Sequence, residues 1–407
     1  MSQLQADAEK RLKQYFEEVG ALLGNASRRA SFATYAMGLL SDGERKSVEP
    51  ISSRACPDPR SADAEHQRLL HFVANANWDD REVRRFSARH ALSALTSREK
   101  VEVWIVDDTG FEKQGRHSVG VQRQYTGSAG KVTNCQLGVS LTVATRTDQA
   151  PIDFELYLPE SWTNDEARRV EAKIPKEIAF RTKPELALGM IRRALDDGVP
   201  RGVVLADTAF GSSSDFRLEL RKRGLHYAVA VDPKTTVFEI GAPLQRGGHA
   251  INLRELAVKL KAKGKFRRCT WREGTKESLT ARFAMLRVLP CREQRRDEDE
   301  REPVWLLIEW RDGEDEPANY FFSSLPRTTR RRPLVRLVMQ RWRTERAYED
   351  LKGELGLDHY EGRRFKGWHH HVSVVLCCYA FVLSERVRRF PPSAGGQTRS
   401  SAYSLAA

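Results

Sequence analysis

The sequence predicts an α/β (α+β) fold in which helices precede a mixed sheet. Three observations predict it: apolar residues recur at helical spacing up to about Glu99, short β-branched runs begin at Val101, and helix and strand patterns alternate after Lys183. The chain has 407 residues, of which 40% are hydrophobic, so it can bury at least one sizeable core. We therefore expect a globular protein of two or three folding units.

The N-terminal part of the chain has a helical pattern. Leu12, Phe16, Val19 and Leu23 are spaced for one face of an amphipathic helix. Two later helices are predicted at 65–74 and 80–95, and the segment 49–61, which contains Pro and Ser, is predicted to be a linker. Residues 1–98 are therefore expected to form a helical N-terminal domain.

The periodicity changes at Val101. The run VEVWIVDD predicts a buried strand that stops at two carboxylates before a Thr-Gly turn, and Asp207 likewise ends a later apolar run. Three antiparallel strands followed by alternating helix and strand are typical of a ribonuclease-H-like fold. The predicted elements are strands at 101–108, 135–145, 154–158, 202–206 and 227–231, with helices at 183–197 and 215–223.

The rest of the chain predicts an insertion and a return to the first fold. Strands are predicted at 279–289, 304–310 and 320–323, broken by the charged loop 292–302; one long helix follows at 333–355 and a last apolar helix at 371–387. The predicted domains are 1–98 (helical), 99–232 with 326–390 (ribonuclease-H-like), 233–325 (β-rich insertion) and 391–407 (disordered tail).

The charge of the chain favours a polyanionic partner. Lys and Arg number 68 against 55 for Asp and Glu, a net charge of +13, and arginines crowd the segment 327–346. No apolar stretch is long enough to span a membrane, and the N-terminus lacks a secretory signal, so we expect a cytoplasmic protein. The six cysteines are scattered without a CxxC pair, which predicts reduced thiols and no structural zinc.

Two aspartates stand where predicted central strands end. Phosphodiester cleavage commonly uses two metal ions held by carboxylates, and the strand ends carrying Asp108 and Asp207 can lie side by side in such a sheet. Each aspartate alone fits a turn or a helix cap equally well. Asp107 is an alternative to Asp108, because adjacent residues of a strand point to opposite faces.

The segment RWRTERAYEDLK (341–352) supplies a third carboxylate. Glu345 lies four residues after Arg341 and seven before Lys352, so the three fall within an arc of roughly 40° on one face of a continuous helix. The alternative is an exposed helix with i,i+4 salt bridges. Glu349, one turn further on, is an alternative third carboxylate.

Together these residues resemble the DDE transposases of bacterial insertion sequences, in the group with a Tyr-Arg-Glu-Lys signature. The signature maps onto Val338, Arg341, Glu345 and Lys352, so that Val338 departs from the expected Tyr. The segments 104–141, LPESW (158–162) and VVLADTAFG (203–211) resemble a subgroup described as DDE-superfamily endonucleases. The resemblance covers roughly residues 78–372.

The resemblance implies a function and a set of ligands. It implies that Asp108, Asp207 and Glu345 bind two Mg²⁺ ions, for which Mn²⁺ can substitute, and its Asp-Thr motif favours Asp108 over Asp107. It implies that the partner is double-stranded DNA, in the form of the terminal inverted repeats and the target. The DNA would be cut and joined by a homodimer in a synaptic complex, at the bacterial nucleoid. The alternative is a catalytically silent, transposase-derived DNA-binding regulator.

Further residues are candidates for DNA contact. Arg341 and Lys352 are predicted to position backbone phosphates, and Arg123 and Lys131, with Lys113 and Arg116, follow closely on the first carboxylate. The run of histidines 369–371 is predicted to form a helix cap or to face DNA, because consecutive histidines on a helix point in divergent directions and make a poor metal site.

Overall fold

The predicted α/β architecture is present, with helices up to Thr96 and strands from Val103 onward. The computed structural model describes residues 3–56, 58–240, 250–273, 278–291 and 302–390. These residues divide into two compact units: one consists of the residues up to Val101, Asp108–Thr182 and the residues from Thr344 on, and the other of Glu102–Asp107 and Lys183–Arg343. The predicted functional domain boundaries stay a prediction, and the predicted tail and most of the charged loop 292–302 lie outside the described residues.

The first unit contains helices and four strands, β1 being shared with the second unit. Its helices are α1 (Gln3–Leu22), α2 (Ala26–Leu40), α3 (Val48–Ala55), α4 (Pro59–Ala74), α5 (Asp80–Thr96), α6 (Glu160–Thr163) and α7 (Glu166–Glu171), with most of α13 (Trp342–Gly353) and α14 (Phe365–Arg389). Its strands are the second half of β1 (Val103–Glu112), β2 (Gln122–Thr126), β3 (Lys131–Ala144) and β4 (Gln149–Tyr157).

The long strand β3 organises the sheet of this unit. Its first residues pair antiparallel with β2, from Tyr125 opposite Val132 onward, and its later residues pair antiparallel with β4, with Ser140 opposite Phe154. β1 is its other neighbour. Residues Cys135–Ala144 of β3 are buried, so this strand carries the core of the sheet.

The sequence predicted that β1 stops at the two carboxylates, but the strand runs past them. It continues through Thr109 and Gly110 to Glu112, and the N–H of Lys113 still donates to the carbonyl of Asn134 on β3, at 2.9 Å. Gly110 is a residue of this strand, and a Cβ at its position would collide with the side chain of Thr126. The close approach of Thr126 therefore explains the glycine. The Thr-Gly pair therefore lies where β1 approaches Thr126 of β2 closely, and it does not form a turn.

The predicted linker at 49–61 is also wrong, since most of it is helical. α3 occupies its first part, and α4 begins at Pro59, where Asp58 caps the helix by accepting a hydrogen bond from the N–H of Arg60 at 3.0 Å. Proline is well suited to the first turn of a helix, where its missing N–H would have no partner. Here proline marks a helix start.

The helix α14 is buried on nearly all sides and holds the N-terminal helices. The hydroxyl of Tyr15 (α1) donates to the carbonyl of Cys377 at 3.0 Å, and Arg11 forms an ion pair with Glu385 at 2.6 Å. In α5, Arg84 is buried and donates to Ser373 at 2.9 Å and to Asp153 of β4 at 3.1 Å. The helices α1 and α5 are therefore part of the same packed core as α14.

The three histidines at the start of α14 lie in this core, so the predicted cap or DNA-facing role is wrong. His369 and His370 are buried, and the ring of His370 stacks on Trp78 with centroids 3.7 Å apart. His371 accepts a hydrogen bond from the hydroxyl of Tyr35 at Nδ1 (2.8 Å) and donates from Nε2 to the carbonyl of Gly356 (3.1 Å). Both ring nitrogens are satisfied by the neutral form.

The second unit contains the remaining elements. Its helices are α8 (Lys183–Asp196), α9 (Thr208–Gly211), α10 (Ser214–Lys222), α11 (Leu253–Ala262) and α12 (Arg331–Val338). Its strands are the first half of β1, β5 (Val203–Ala206), β6 (Tyr227–Ala230), β7 (Thr236–Glu239), β8 (Ile251–Asn252), β9 (Arg267–Glu273), β10 (Ser278–Pro290), β11 (Val304–Trp310) and β12 (Asn319–Ser323).

The sheet of the second unit is mixed. β1, β5 and β6 are parallel, and β12, β11 and β10 then add antiparallel in that order. β10 is long enough to pair with β9 along its first half and with β7 at its end. The predicted strands of the insertion are present as β10, β11 and β12, whereas α11 was not predicted.

The predicted continuous helix at 333–355 is interrupted. α12 ends at Val338, a 3-10 turn covers Met339–Arg341, and α13 begins at Trp342. Two residues of this turn donate side-chain hydrogen bonds. Gln340 donates to Glu102, the residue before β1, at 3.2 Å, and Arg341 donates to Asp107 of β1 at 2.6 Å. A 3-10 turn changes the angle per residue, so the common arc applies to Glu345 and Lys352 and no longer to Arg341.

Two further features concern the whole described chain. All six cysteines are free thiols, four of them buried. Within the described ranges, no helix combines the length and the apolar character needed to cross a lipid bilayer.

The burial of His371 predicts a pH-dependent stability. Burial lowers the pKa of His371 to about 4, so between about pH 6.5 and pH 4 the unfolded chain binds a proton that the folded chain does not. Stability should therefore fall as the pH falls through this window. Between about pH 7 and pH 5, the free energy of unfolding of the wild type should fall by about 2 kcal/mol more than that of His371→Gln, as measured by urea denaturation.

The exposed His226 provides the control for this measurement. His226→Gln should keep the pH dependence of the wild type. An equal pH dependence of the wild type and His371→Gln would show that His371 does not stay neutral in the folded protein.

Candidate active site

Two consecutive aspartates of β1 differ in their surroundings. Asp107 is 6% exposed, and Nη1 of Arg341 lies 2.6 Å from its Oδ2, so its charge is compensated within the second unit. Asp108, the first residue of the first unit on this strand, is half-buried. A buried carboxylate with a guanidinium partner is part of the scaffold, whereas Asp108 is the more accessible of the two.

Asp207 stands at the end of β5, at the level of the end of the first half of β1. The register pairs Val106 with Ala206 in parallel, so Asp107 and Asp207 are the next residues on neighbouring strands. The side chain of Asp207 also accepts a hydrogen bond from the N–H of Ala209, at 3.0 Å, and thereby caps α9. Because a carboxylate has two oxygens and about four acceptor positions, a cap is compatible with a metal ligand.

The glycine of the segment VVLADTAFG has a packing role. A Cβ on Gly211 would collide with the carbonyl of Ala230 and the side chain of Val229 on β6. The short helix α9 therefore lies directly against β6, which holds the backbone after Asp207 in place. This close approach explains the glycine without a ligand.

Glu345 lies on a helix that hydroxyl groups anchor to β3. Thr344 lies 3.0 Å from Thr142 between hydroxyl oxygens, and the hydroxyl of Tyr348 lies 2.6 Å from that of Ser140; all four residues are buried. Glu345 itself is exposed. The two hydroxyl pairs set the rotation of α13 in the first unit and thereby direct Glu345 away from the core.

Sequence reasoning did not identify these anchoring hydroxyls. The signal was present in QLGVSLTVA, where Ser140 and Thr142 alternate with apolar residues in a strand that is otherwise suited to a core. Polar side chains on a buried strand need partners, and here the partners come from the signature helix.

Lys352 ties the same helix to β1. Its Nζ donates to the carbonyl of Gly110 at 2.8 Å and lies 5.3 Å from the centre of the Phe111 ring. Burial lowers the pKa of Lys352, against the opposing effect of Asp358 and Glu112. The contact links α13 to the strand two residues after Asp108, a role that the sequence did not predict.

The hairpin of β2 and β3 carries the other predicted DNA contacts. Arg123 and Lys131 are exposed, as a contact with DNA requires. The turn between the strands is held against β1, since the hydroxyl of Ser128 donates to the carbonyl of Gly110 at 3.5 Å. Lys113 differs from the prediction, because its half-buried Nζ donates to the carbonyl of Tyr360 at 2.6 Å.

The predicted site residues thus fall into two groups. The first unit contains Asp108, Glu345 and Lys352, and the second contains Asp207 and Arg341. In the part of the chain that the structure describes, no group of three or more His, Cys, Asp or Glu side chains is arranged to hold a metal ion. The joint metal site of the three carboxylates stays a prediction.

Comparisons with known proteins cover both groups of residues. The family model described as "DDE superfamily endonuclease" matches residues 18–278, and that described as "Transposase DDE domain" matches residues 182–381. A curated relative, "Probable transposase for insertion sequence element IS701" of Microchaete diplosiphon, is 27% identical over 223 residues, which are 54% of this chain and 54% of the relative. The chain therefore matches about half the length of that relative.

The buried contact of Lys352 predicts a structural cost for its removal. Lys352→Met keeps most of the aliphatic stem but leaves the carbonyl of Gly110 without this donor, so the free energy of unfolding should fall by about 2 kcal/mol in urea denaturation. The exposed Lys131 is the matched control, and Lys131→Met should change stability by less than about 0.5 kcal/mol. Equal effects of the two substitutions would contradict the anchoring role.

Proposed function

We propose, on the premise that the chain belongs to the family of DDE superfamily endonucleases, that it is a DNA transposase which cuts the ends of an insertion sequence and joins them to target DNA. The observation that carries the proposal is the parallel register of β1 and β5, which brings Asp107, the neighbour of Asp108, level with Asp207. The transposase relative and the second family model support the same function.

We propose Asp108, Asp207 and Glu345 as the residues that hold two Mg²⁺ ions, for which Mn²⁺ can substitute. Carboxylate oxygens are the ligands that Mg²⁺ prefers, and all three side chains retain some exposure. Asp108 is preferred to Asp107 because Arg341 already neutralises Asp107. When bound, such a metal pair activates an attacking oxygen and stabilises the leaving one.

The remaining site residues are assigned to positioning. In the proposed reaction a water cleaves the phosphodiester at the element end, and the freed 3′-OH then attacks target DNA. Arg341 and Lys352 would contact backbone phosphates: a guanidinium has five N–H donors and an ammonium three, so their bonds to Asp107 and Gly110 are compatible with this role. Arg123 and Lys131 would add contacts from the exposed hairpin.

The proposed partners are the terminal inverted repeats and the target, both as double-stranded DNA. Joining two element ends in one reaction requires at least two active sites, so a homodimer in a synaptic complex is proposed. The helices before Thr96 and the insertion would recognise the ends. The net charge of +13 supports binding to DNA, both to the terminal inverted repeats and to the target.

Removing one negative charge tests the chemistry separately from binding. Asp207→Asn keeps the shape of the side chain but weakens its hold on a divalent cation, so Mg²⁺-dependent cleavage of element-end DNA should be lost while gel-shift affinity survives. Asp215→Asn, at an exposed position of α10 in the same unit, should cleave like the wild type. Equal cleavage by Asp207→Asn and the wild type would eliminate Asp207 as a ligand.

The same assay separates the transposase from its rivals. A wild type that binds the element ends but never cuts them, with Mg²⁺ or Mn²⁺, would identify a DNA-binding regulator. Cleavage without joined products would identify a simple nuclease.

A second test concerns Arg341, whose role is either to neutralise Asp107 or also to bind phosphate. Arg341→Ala should weaken binding to specific and random duplex alike and reduce the salt slope of the affinity by about 1. In Arg341→Ala the carboxylate of Asp107 loses its partner, and the double variant Asp107→Asn/Arg341→Ala removes this negative charge. If Arg341 also binds phosphate, the double variant should still bind duplex DNA weakly. Recovery of duplex affinity in the double variant would limit Arg341 to compensating Asp107.

A further inference from the structure

Six cations occupy ten consecutive positions where α11 turns into β9. They are Lys259, Lys261, Lys263, Lys265, Arg267 and Arg268, all exposed, and together we call them the α11–β9 basic surface. Neither the family signature nor the proposed metal site includes any of them. Six like charges this close repel one another unless counter-ions or an anionic partner compensate them.

The surface lacks the carboxylate partners that neighbouring cations have. Arg254 pairs with Glu316 at 3.0 Å, and Arg282 pairs with Asp312 at 2.8 Å. Among the described residues, none of the six cations of the α11–β9 basic surface forms an ion pair with a carboxylate. The register places Arg268 opposite Arg282, whose carboxylate partner is Asp312, so that Arg268 is the cation of this pair without an ion-pair partner among the described residues.

The backbone beneath these cations is held in place. Gly264 adopts φ +59 after the end of α11, and the N–H of Lys265 donates to the carbonyl of Leu260 at 3.0 Å. Trp310 of β11 anchors the turn, with the Nζ of Lys261 3.7 Å from its ring centre and the Phe266 ring 5.5 Å away edge-on. The cations therefore project from an ordered turn.

The same contacts indicate which polyanion fits. Single-stranded nucleic acid is usually bound with aromatic side chains that stack on bases. Here Trp310 is 6% exposed and is contacted by Phe266 and by Lys261, so it offers no open face for stacking. The six side chains of the surface carry charge and no aromatic ring or base-reading amide, which fits the phosphate backbone of a duplex.

We propose that the α11–β9 basic surface binds the phosphate backbone of double-stranded DNA without regard to sequence. The proposal rests on the proposed transposase function and adds a second DNA contact outside the carboxylate site. β9 also reaches the signature segment, because the guanidinium of Arg272 lies 4.2 Å from the ring centre of Trp342. DNA bound on this surface would be continuous with the segment that begins α13.

The test removes four cations that make no supporting contact. The variant Lys259→Gln/Lys263→Gln/Lys265→Gln/Arg268→Gln leaves Lys261 on Trp310 and Arg267 on the carbonyl of Gly264. Its affinity for random duplex should fall at least tenfold at moderate salt, and the salt slope should decrease by about 3 to 4. Preference for element ends over random duplex, and cleavage at saturating DNA, should persist.

Two controls exclude net charge and misfolding as causes. Lys100→Gln/Lys173→Gln/Lys176→Gln/Arg192→Gln removes the same charge from other exposed positions and should keep most of the affinity. A charge-conserving variant, Lys259→Arg/Lys263→Arg/Lys265→Arg/Arg268→Lys, should bind like the wild type. Thermal melting of every variant checks the fold.

The outcomes separate the inference from the proposed function. Wild-type affinity in the α11–β9 variant, or an equal loss in the matched control, would overturn the inference and leave the transposase proposal intact. A selective loss of binding to single-stranded RNA with unchanged duplex binding would also overturn it. A wild type that binds no duplex would overturn the proposed function itself.

Discussion

The parallel pairing of β1 with β5 is the constraint that places Asp107 level with Asp207. Val103–Val106 and Val204–Ala206 are buried, and each pairs in register with the other strand. Both strands are apolar up to Val106 and Ala206, and an aspartate follows each run. Asp107 is itself buried, and its ion pair with Arg341 compensates its charge there. The register then decides which carboxylates become neighbours: Asp107 comes level with Asp207, and Asp108 follows directly in the chain.

The cations near these carboxylates already serve the protein before any DNA is present. Arg341 compensates buried Asp107, and Lys352 donates to the backbone of Gly110, so each connects the signature segment to β1. A buried carboxylate without its guanidinium would be costly. A substitution in this segment therefore changes stability, and under the proposed function also DNA binding, so the variants of Arg341 and Lys352 need controls that separate the two effects.

The sequence predicts elements well where periodicity alone determines them. Runs of apolar residues identified β11 and β12, and the helical spacing identified α5 and α8, because burial of apolar side chains decides these structures. It fails where side chains compete with the regular backbone. Pro59 starts a helix instead of a linker, Gly110 continues a strand, and Gln340 and Arg341 bond to Glu102 and Asp107 at an interruption of the helix.

Site residues show the same division. Asp108, Asp207 and Glu345 were predicted from two apolar runs that end at aspartates and from a helical spacing, and they stay a prediction. The hydroxyl pairs that orient α13, in contrast, required knowledge of which strand lies beneath it. Tyr348 and Ser140 are 208 residues apart, and no local pattern links them. The histidines show the converse: HHH suggests a surface cap, but in a fully packed helix each ring meets a different backbone carbonyl.

The distribution of charge separates holding DNA from cutting it. At the signature segment, Arg341 and Lys352 already bond to Asp107 and to the carbonyl of Gly110, so under the proposed function each would bind phosphate with its remaining N–H donors. Among the described residues, the cations of the α11–β9 basic surface form no ion pair with a carboxylate, so in the proposed interaction phosphate binding there displaces none. Binding energy from a remote contact can be used to hold the substrate at the reacting centre. Under the proposed function, this surface would hold the DNA while the carboxylates support the metal-dependent chemistry.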